Sequence, residues 1–181
     1  PRYTRMRLIS LVGAKEVPYP LPEKGRPGLP EFSPDGSRFA QTLTEENGIA
    51  LLLGTTADGK TRRVESVRLN AVLGDPIHWL ADGKRVLVTM TPSDRPATPP
   101  APVAAPAIQE STGKAAPVRT YQDLLTSKHD EALFDYHATA RLAVVDFESL
   151  KVTPLGVPAL FASVSPAPDG EHLLVTTVRR P

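Results

Sequence analysis

Short apolar runs rich in β-branched and aromatic side chains recur along this chain, interrupted by clusters of Asp, Gly and Pro. Strands joined by tight turns give that pattern, whereas a helix would repeat its apolar positions every three or four residues. Three interruptions are alike: Asp35 and Gly36 in "FSPDGSRFA", Asp82 and Gly83 in "WLADGKRVLV", and Asp169 and Gly170 in "APDGEHLLV". Pro34 presets φ at about −65°, the Asp carboxylate bonds its own backbone, and Gly takes the positive φ that closes the hairpin. Phe32 and Trp79 stand three residues before the Asp, with Pro166 in that place in the third copy, so the repeat is degenerate.

A second kind of turn falls between these, around Gly13 and Ala14, Asp58 and Gly59, and Ser149 and Leu150. Each has an apolar strand before it and a Lys-containing exit, as an outer hairpin has. Alternation of the two turns gives four short strands per unit, and Asp35 to Asp82 is 47 positions. Four antiparallel strands in roughly 40 to 47 residues make one blade of a β-propeller. Asp82 to Asp169 is 87 positions, so the second unit carries an insertion, placed by the count between its second and third strands. The insertion is dense in Pro and Ala over residues 92–108, which favours extended polyproline II. Over residues 120–139 the spacing of Tyr121, Leu124, Leu125, and later of Leu133, Phe134 and His137, predicts a helical pair, with an apolar stripe docked on the propeller or on a neighbouring domain.

Phe39, Gln41 and Leu43 alternate with Ala40 and Thr42, leaving apolar or small residues on both faces, as in a sheet stacked between two neighbours. The predicted fold is all-β, an incomplete β-propeller of about three blade equivalents. Residues 5–19 are outer strands of a preceding blade, 30–70 a blade, 76–157 a blade with insertion 92–139, and 160–179 inner strands of a following blade. Closed propellers need at least four blades, so the chain reads as an internal piece of a longer polypeptide, with unpaired edges if isolated.

Composition narrows the function without naming it. The 181 residues carry a net charge of +1 from 21 basic and 20 acidic side chains, so no global field points to nucleic acid or an anionic membrane. The absence of cysteine removes disulfides, thiol catalysis and Cys-ligated metals. No apolar run reaches the roughly 18 residues of a membrane span. The chain reads as soluble, and its compartment stays open between cytoplasm and periplasm or secretion. It begins at Pro1, which leaves room for a lost upstream targeting segment.

Candidate chemistry is sparse. There is no GxSxG nucleophile elbow, and of His78, His129, His137 and His172 only "HDEALFDYH" joins two histidines to the carboxylates Asp130, Glu131 and Asp135. That spacing is not a metal motif. It fits a helix start, with Ser127 as N-cap and Asp130 and Glu131 in the first turn. Arg62 with Arg63, and Arg179 with Arg180, read as solvated strand ends, Trp79 as blade core, and Pro96 to Pro99 as a minimal PxxP within a spacer. No catalytic, cofactor-binding or metal residue is assigned, and no cofactor is expected.

The turn-bearing units resemble the Pro-Asp-Gly propeller repeats of the prolyl oligopeptidase family and of TolB-like proteins. Two segments are more specific, residues 114–146 and residues 163–181, and they are read together with "RLNAVLGDPIHWLADGKRVLV". They resemble the N-terminal propeller of the glutamyl endopeptidase branch of that family of serine peptidases. The resemblance implies a propeller that gates access to a C-terminal α/β-hydrolase domain of the same polypeptide, with peptide substrates cleaved after Glu. The catalytic Ser, Asp and His fall on no residue here. Ala81 and Gln41 depart from the family pattern, where a turn Pro and an aromatic are usual. The alternatives are a TolB-like propeller acting as an interaction scaffold with no enzyme attached, and an interaction piece built on the proline-rich arm and helical region.

Overall fold

A computed structural model describes residues 6–101, 125 and 127–179. Strands β1 (Met6–Ile9) and β2 (Glu16–Tyr19) form a hairpin. The first complete sheet follows, with β3 (Arg26–Pro27) and β4 (Glu31–Phe32) both on one edge of β5 (Arg38–Glu45), then β6 (Gly48–Thr55) and β7 (Thr61–Leu69). The second is β8 (Ile77–Trp79), β9 (Arg85–Met90), β10 (Ala140–Asp146) and β11 (Val152–Ala159), and a last hairpin pairs β12 (Phe161–Pro166) with β13 (Leu173–Thr177). Every pairing is antiparallel. The described strands do not close into a ring, and the architecture is that of an incomplete propeller whose second complete sheet carries the insertion between β9 and β10.

The three repeated turns are built alike. The N–H of Gly36, Gly83 and Gly170 donates to the carbonyl of Ser33, Leu80 and Ala167 at 2.8, 3.0 and 3.0 Å, and the glycines take φ of 70°, 59° and 70°. The carboxylates bond the chain that leaves the turn. Asp35 Oδ1 accepts from Ser37 N–H at 3.1 Å, Asp82 Oδ1 from Lys84 N–H at 2.8 Å, and Asp169 Oδ1 from Glu171 N–H at 2.9 Å. The turn at Ala81 forms without a proline, because a type I turn accepts most residues at that position.

Burial on both faces of the middle strands follows from stacking. Ala40, Leu51, Leu53, Val64, Val86, Val88, Ala143, Val145 and Phe147 lock the two complete sheets together, and Leu80, Leu87 and Leu142 pack the second sheet on the last hairpin. Each large apolar side chain buried this way stabilises by about 1.5–3 kcal/mol. On the far face of the first sheet lies Gln41, fully buried, an amide among apolar neighbours. It is paired at both ends: its carbonyl accepts from the Tyr19 hydroxyl and its amide donates to the carbonyl of Gly28. A buried amide so satisfied avoids the desolvation cost of an unpaired one, and it ties the first hairpin and the break between β3 and β4 to the sheet.

The second helix of the predicted pair starts where the N-cap reading places it. Helix α1 runs Lys128–Ala138, because Ser127 caps it: the Ser127 hydroxyl accepts from Asp130 N–H and the Asp130 carboxylate accepts from Ser127 N–H. Leu125 is outside the helix, and residues 120–124 lie outside the described residues. Within α1, Ala138 is buried and Leu133 and Phe134 are half-buried.

Candidate functional site

Alternating strand direction places the turns around Asp35, Asp58, Asp82, Ser149 and Asp169 at one end of the stacked sheets. The loops around Asn47 and residues 70–76, together with the described start and end of the insertion, lie at the other end. At the second end a single strand contact, Leu69 with Met90, joins the two complete sheets, flanked by Asn70 N–H to Thr89 O at 2.9 Å and Thr91 N–H to Arg68 O at 2.8 Å. The Asn70 amide donates to the carbonyls of His137 and Thr139 at 2.9 and 3.2 Å, pinning the end of α1 to the sheet. The Arg95 guanidinium lies 4.5 Å over the Tyr136 ring, and Arg141 pairs with Asp94 at 3.6 Å.

Beside this anchor, between the second complete sheet and the last hairpin, is a cleft of about 220 Å³. Leu73, Ala138, Ala140, Phe161 and Val164 give it apolar walls, and Asp75, His78, Thr89 and Ser163 give it polar ones. Two register shifts border it, one in β10 between Ala140 and Leu142 and one in β12 between Phe161 and Ser163. A bulge leaves its extra residue out of the ladder and re-aims the strand, here at Ala162. On the neighbouring inner strand the Trp79 N–H and indole Nε1–H donate to Glu31 Oε1 and Glu31 O at 3.2 and 2.8 Å. Glu31 keeps exposed surface, yet enough protein crowds its carboxyl that loss of water pushes its pKa above the usual range. The Trp79 N–H and His78 act in the opposite sense, and Asp75 adds to the rise.

At the turn end the two complete sheets meet on Phe147. Its ring is 2% exposed and 6.0 Å from Trp79, with the guanidinium carbons of Arg38 and Arg62 4.3 and 5.0 Å from its centroid. Arg38 also reaches the Gly83 carbonyl at 3.2 Å and Glu148 at 2.6 Å, and Arg62 donates to the carbonyls of Phe147 and Glu148 at 2.5 and 3.0 Å. Arg63 pairs with Glu45 at 2.6 Å and with Glu65. Arg62 and Arg63 are exposed at the start of β7, as their reading as solvated strand ends has it, and each is held there by partners within the fold.

The other predicted positions fall as follows. Trp79 is core. His129 and His137 lie on α1, His172 faces Asp169 at 2.7 Å, and only His78 enters the cleft. Among the described residues no group of three or more His, Asp or Glu side chains is arranged to hold a metal ion. Pro96 and Pro99 are in irregular chain, and Arg180 lies outside the described residues. Asp75 and Ser163 have no motif in the sequence; the fold alone brings them to His78.

The stacked four-stranded meanders define the class, a β-propeller. TolB from Acinetobacter baumannii superposes with a TM-score of 0.50 at 15% identity, covering 97% of this chain and 32% of that one. An acylaminoacyl peptidase from Pyrococcus horikoshii superposes with a TM-score of 0.53 at 16% identity, covering 97% of this chain and 23% of that one. At such identities the likeness is one of fold. No family model matches the chain. In sequence it is 32% identical over 182 residues to a rice (Oryza sativa subsp. japonica) protein named "Probable glutamyl endopeptidase, chloroplastic", covering 94% of this chain and 19% of the relative. An Arabidopsis thaliana protein of the same name is 30% identical over 172 residues, covering 89% of this chain and 18% of the relative. The chain belongs with the propellers of the prolyl oligopeptidase family, on its glutamyl endopeptidase branch, and spans about a fifth of the length of these relatives.

Proposed function

We propose that this chain is a non-catalytic part of the propeller of a serine-type endopeptidase, a wall that limits access of bulky folded substrates to an α/β-hydrolase domain of the same polypeptide. Cleavage after Glu is the expected specificity. The supporting observation is the sequence likeness to the plant proteins named glutamyl endopeptidases, which runs over 94% of the chain. In this reading residues 5–19 belong to a preceding blade, 30–70 and 76–157 to two complete blades with insertion 92–139 in the second, and 160–179 to a following one.

The test is hydrolysis of a fluorogenic Glu-containing peptide. The full polypeptide that includes this propeller is expected to cleave it and to lose activity to a serine-directed phosphonate, while residues 1–181 alone do not. Phosphonate-sensitive hydrolysis by residues 1–181 would overturn the assignment, and so would a full polypeptide that shows no preference for Glu.

A further inference from the structure

The cleft beside the Asn70 anchor has two features that the wall role leaves unused. Among the described residues no hydrogen bond or ion pair engages the side chains of Asp75, His78, Thr89 or Ser163, although all four border one cavity. Among the described residues no Lys or Arg lines the cavity, so with Asp75 ionised its field is negative, and Asp75 lies close enough to Glu31 to add to the cost of ionising it. A few convergent polar groups over apolar walls are the usual make-up of a ligand site. The cavity is too small for a folded partner or a long segment.

Its chemistry matches one kind of group, an apolar stem ending in a compact cation. We propose that the cleft takes a lysine side chain of a bound peptide. The methylene stem lies along Leu73, Phe161 and Val164, and the ammonium is held by Asp75 with the Thr89 and Ser163 hydroxyls and the His78 ring. A lysine ammonium is a point charge with three rotatable donors, which scattered single acceptors can satisfy; an arginine fork needs paired, coplanar ones. Long basic side chains lay their stems on apolar surface while the charged head reaches polar groups. The unpaired backbone at Ala162, in the bulge of β12, adds a place for the peptide main chain beside the stem. The inference rests on the reading that this propeller meets peptides, and it adds a recognition element that does not involve Glu.

The probe is the capped tripeptide acetyl-Ala-Lys-Ala-amide, with its Nζ-acetyl-lysine counterpart as control, titrated into the full polypeptide by calorimetry and by NMR of isotope-labelled histidine. Saturable binding that shifts the His78 ring signals is expected, with at least a tenfold loss on acetylation of the lysine. Asp75→Asn should weaken the lysine peptide about fivefold and leave the acetyl-lysine peptide unchanged. Asp75 is exposed and its side chain makes no hydrogen bond among the described residues, so this variant should fold normally, which circular dichroism checks. Equal binding of the two peptides overturns the proposal. So does unchanged affinity in Asp75→Asn, or no saturation up to about 20 mM, beyond the millimolar range in which such a small contact registers. The probes contain no Glu, so loss of Glu-directed hydrolysis leaves this result standing, and failure here leaves the peptidase assay untouched.

Discussion

Replacing Phe147 by alanine is the most direct test of what holds the two complete sheets together. The ring is 2% exposed and sits between Trp79 and two guanidinium groups, so truncation removes its burial and leaves a void that the stacked strands can close only in part. Core Phe→Ala changes cost about 3–5 kcal/mol, and each guanidinium over a ring face adds about 0.5–1 kcal/mol at partly exposed sites. These terms overlap, since a leaning guanidinium also covers the ring, and about 4 kcal/mol is expected in total. Phe147→Leu keeps most of the volume and loses only the ring faces, so about 1–1.5 kcal/mol is expected there. Trp79 is the only tryptophan in the chain and lies 6.0 Å from the Phe147 ring, so its fluorescence during urea unfolding reports this junction. A loss below about 1 kcal/mol for Phe147→Ala would refute the assignment of this residue as the junction between the sheets. Equal losses for the Leu and Ala variants would refute the division between volume and ring face.

Two further outcomes follow from the turns. At Gly59, φ is +70° and an added Cβ would stand 2.3 Å from the Pro18 carbonyl oxygen, whereas Gly36 has the same φ and nothing within 4 Å. Gly36→Ala should cost only the left-handed strain, roughly 1 kcal/mol, and Gly59→Ala clearly more, with the excess read from paired urea midpoints; equal costs would mean that the β1–β2 hairpin is not seated on the first sheet. The Ser33 hydroxyl, then the Ser37 hydroxyl and N–H, hold the Asp35 carboxyl at about 2 against an ordinary value of 3.8. A depressed carboxyl stabilises fully above its unfolded value and loses that contribution as pH falls towards the folded value. Stability measured from pH 5 down to pH 2 should therefore drop less steeply in Asp35→Asn than in the parent, and parallel profiles would contradict the turn bonding.

The repeat was legible because its turns are written locally: Asp bonding two residues ahead and Gly at positive φ need no tertiary context, and all three copies formed as read. The insertion point was legible for a similar reason, as an excess of length between two copies of one pattern. What escaped was whatever depends on distant partners. Gln41 looks like a weak strand residue until the Tyr19 hydroxyl and the Gly28 carbonyl are seen to pair with it. Arg62 is exposed, as a strand-end charge should be, but that it reaches the carbonyls of Phe147 and Glu148 depends on the path of β7. The cleft is the extreme case: Asp75, His78, Thr89 and Ser163 follow no spacing, and a bulge in β12 with the return of the chain into β10 brings them together. The start of α1, by contrast, needs no distant partner: Ser127 and Asp130 bond each other across three residues, as the N-cap reading has it.

Residues 91–139 leave and re-enter the fold at neighbouring points, since Met90 and Arg141 face each other as partners in one ladder. Closure of a connection whose ends already touch depends on length only logarithmically, about 0.6 kcal/mol for each doubling. The two complete sheets are therefore nearly indifferent to how much chain is spliced in at that rim. This makes it the place where a foreign sequence, a fluorescent tag or a tether to a surface can be added, between the residues that Arg141 and Asn70 hold, while the strand register is kept.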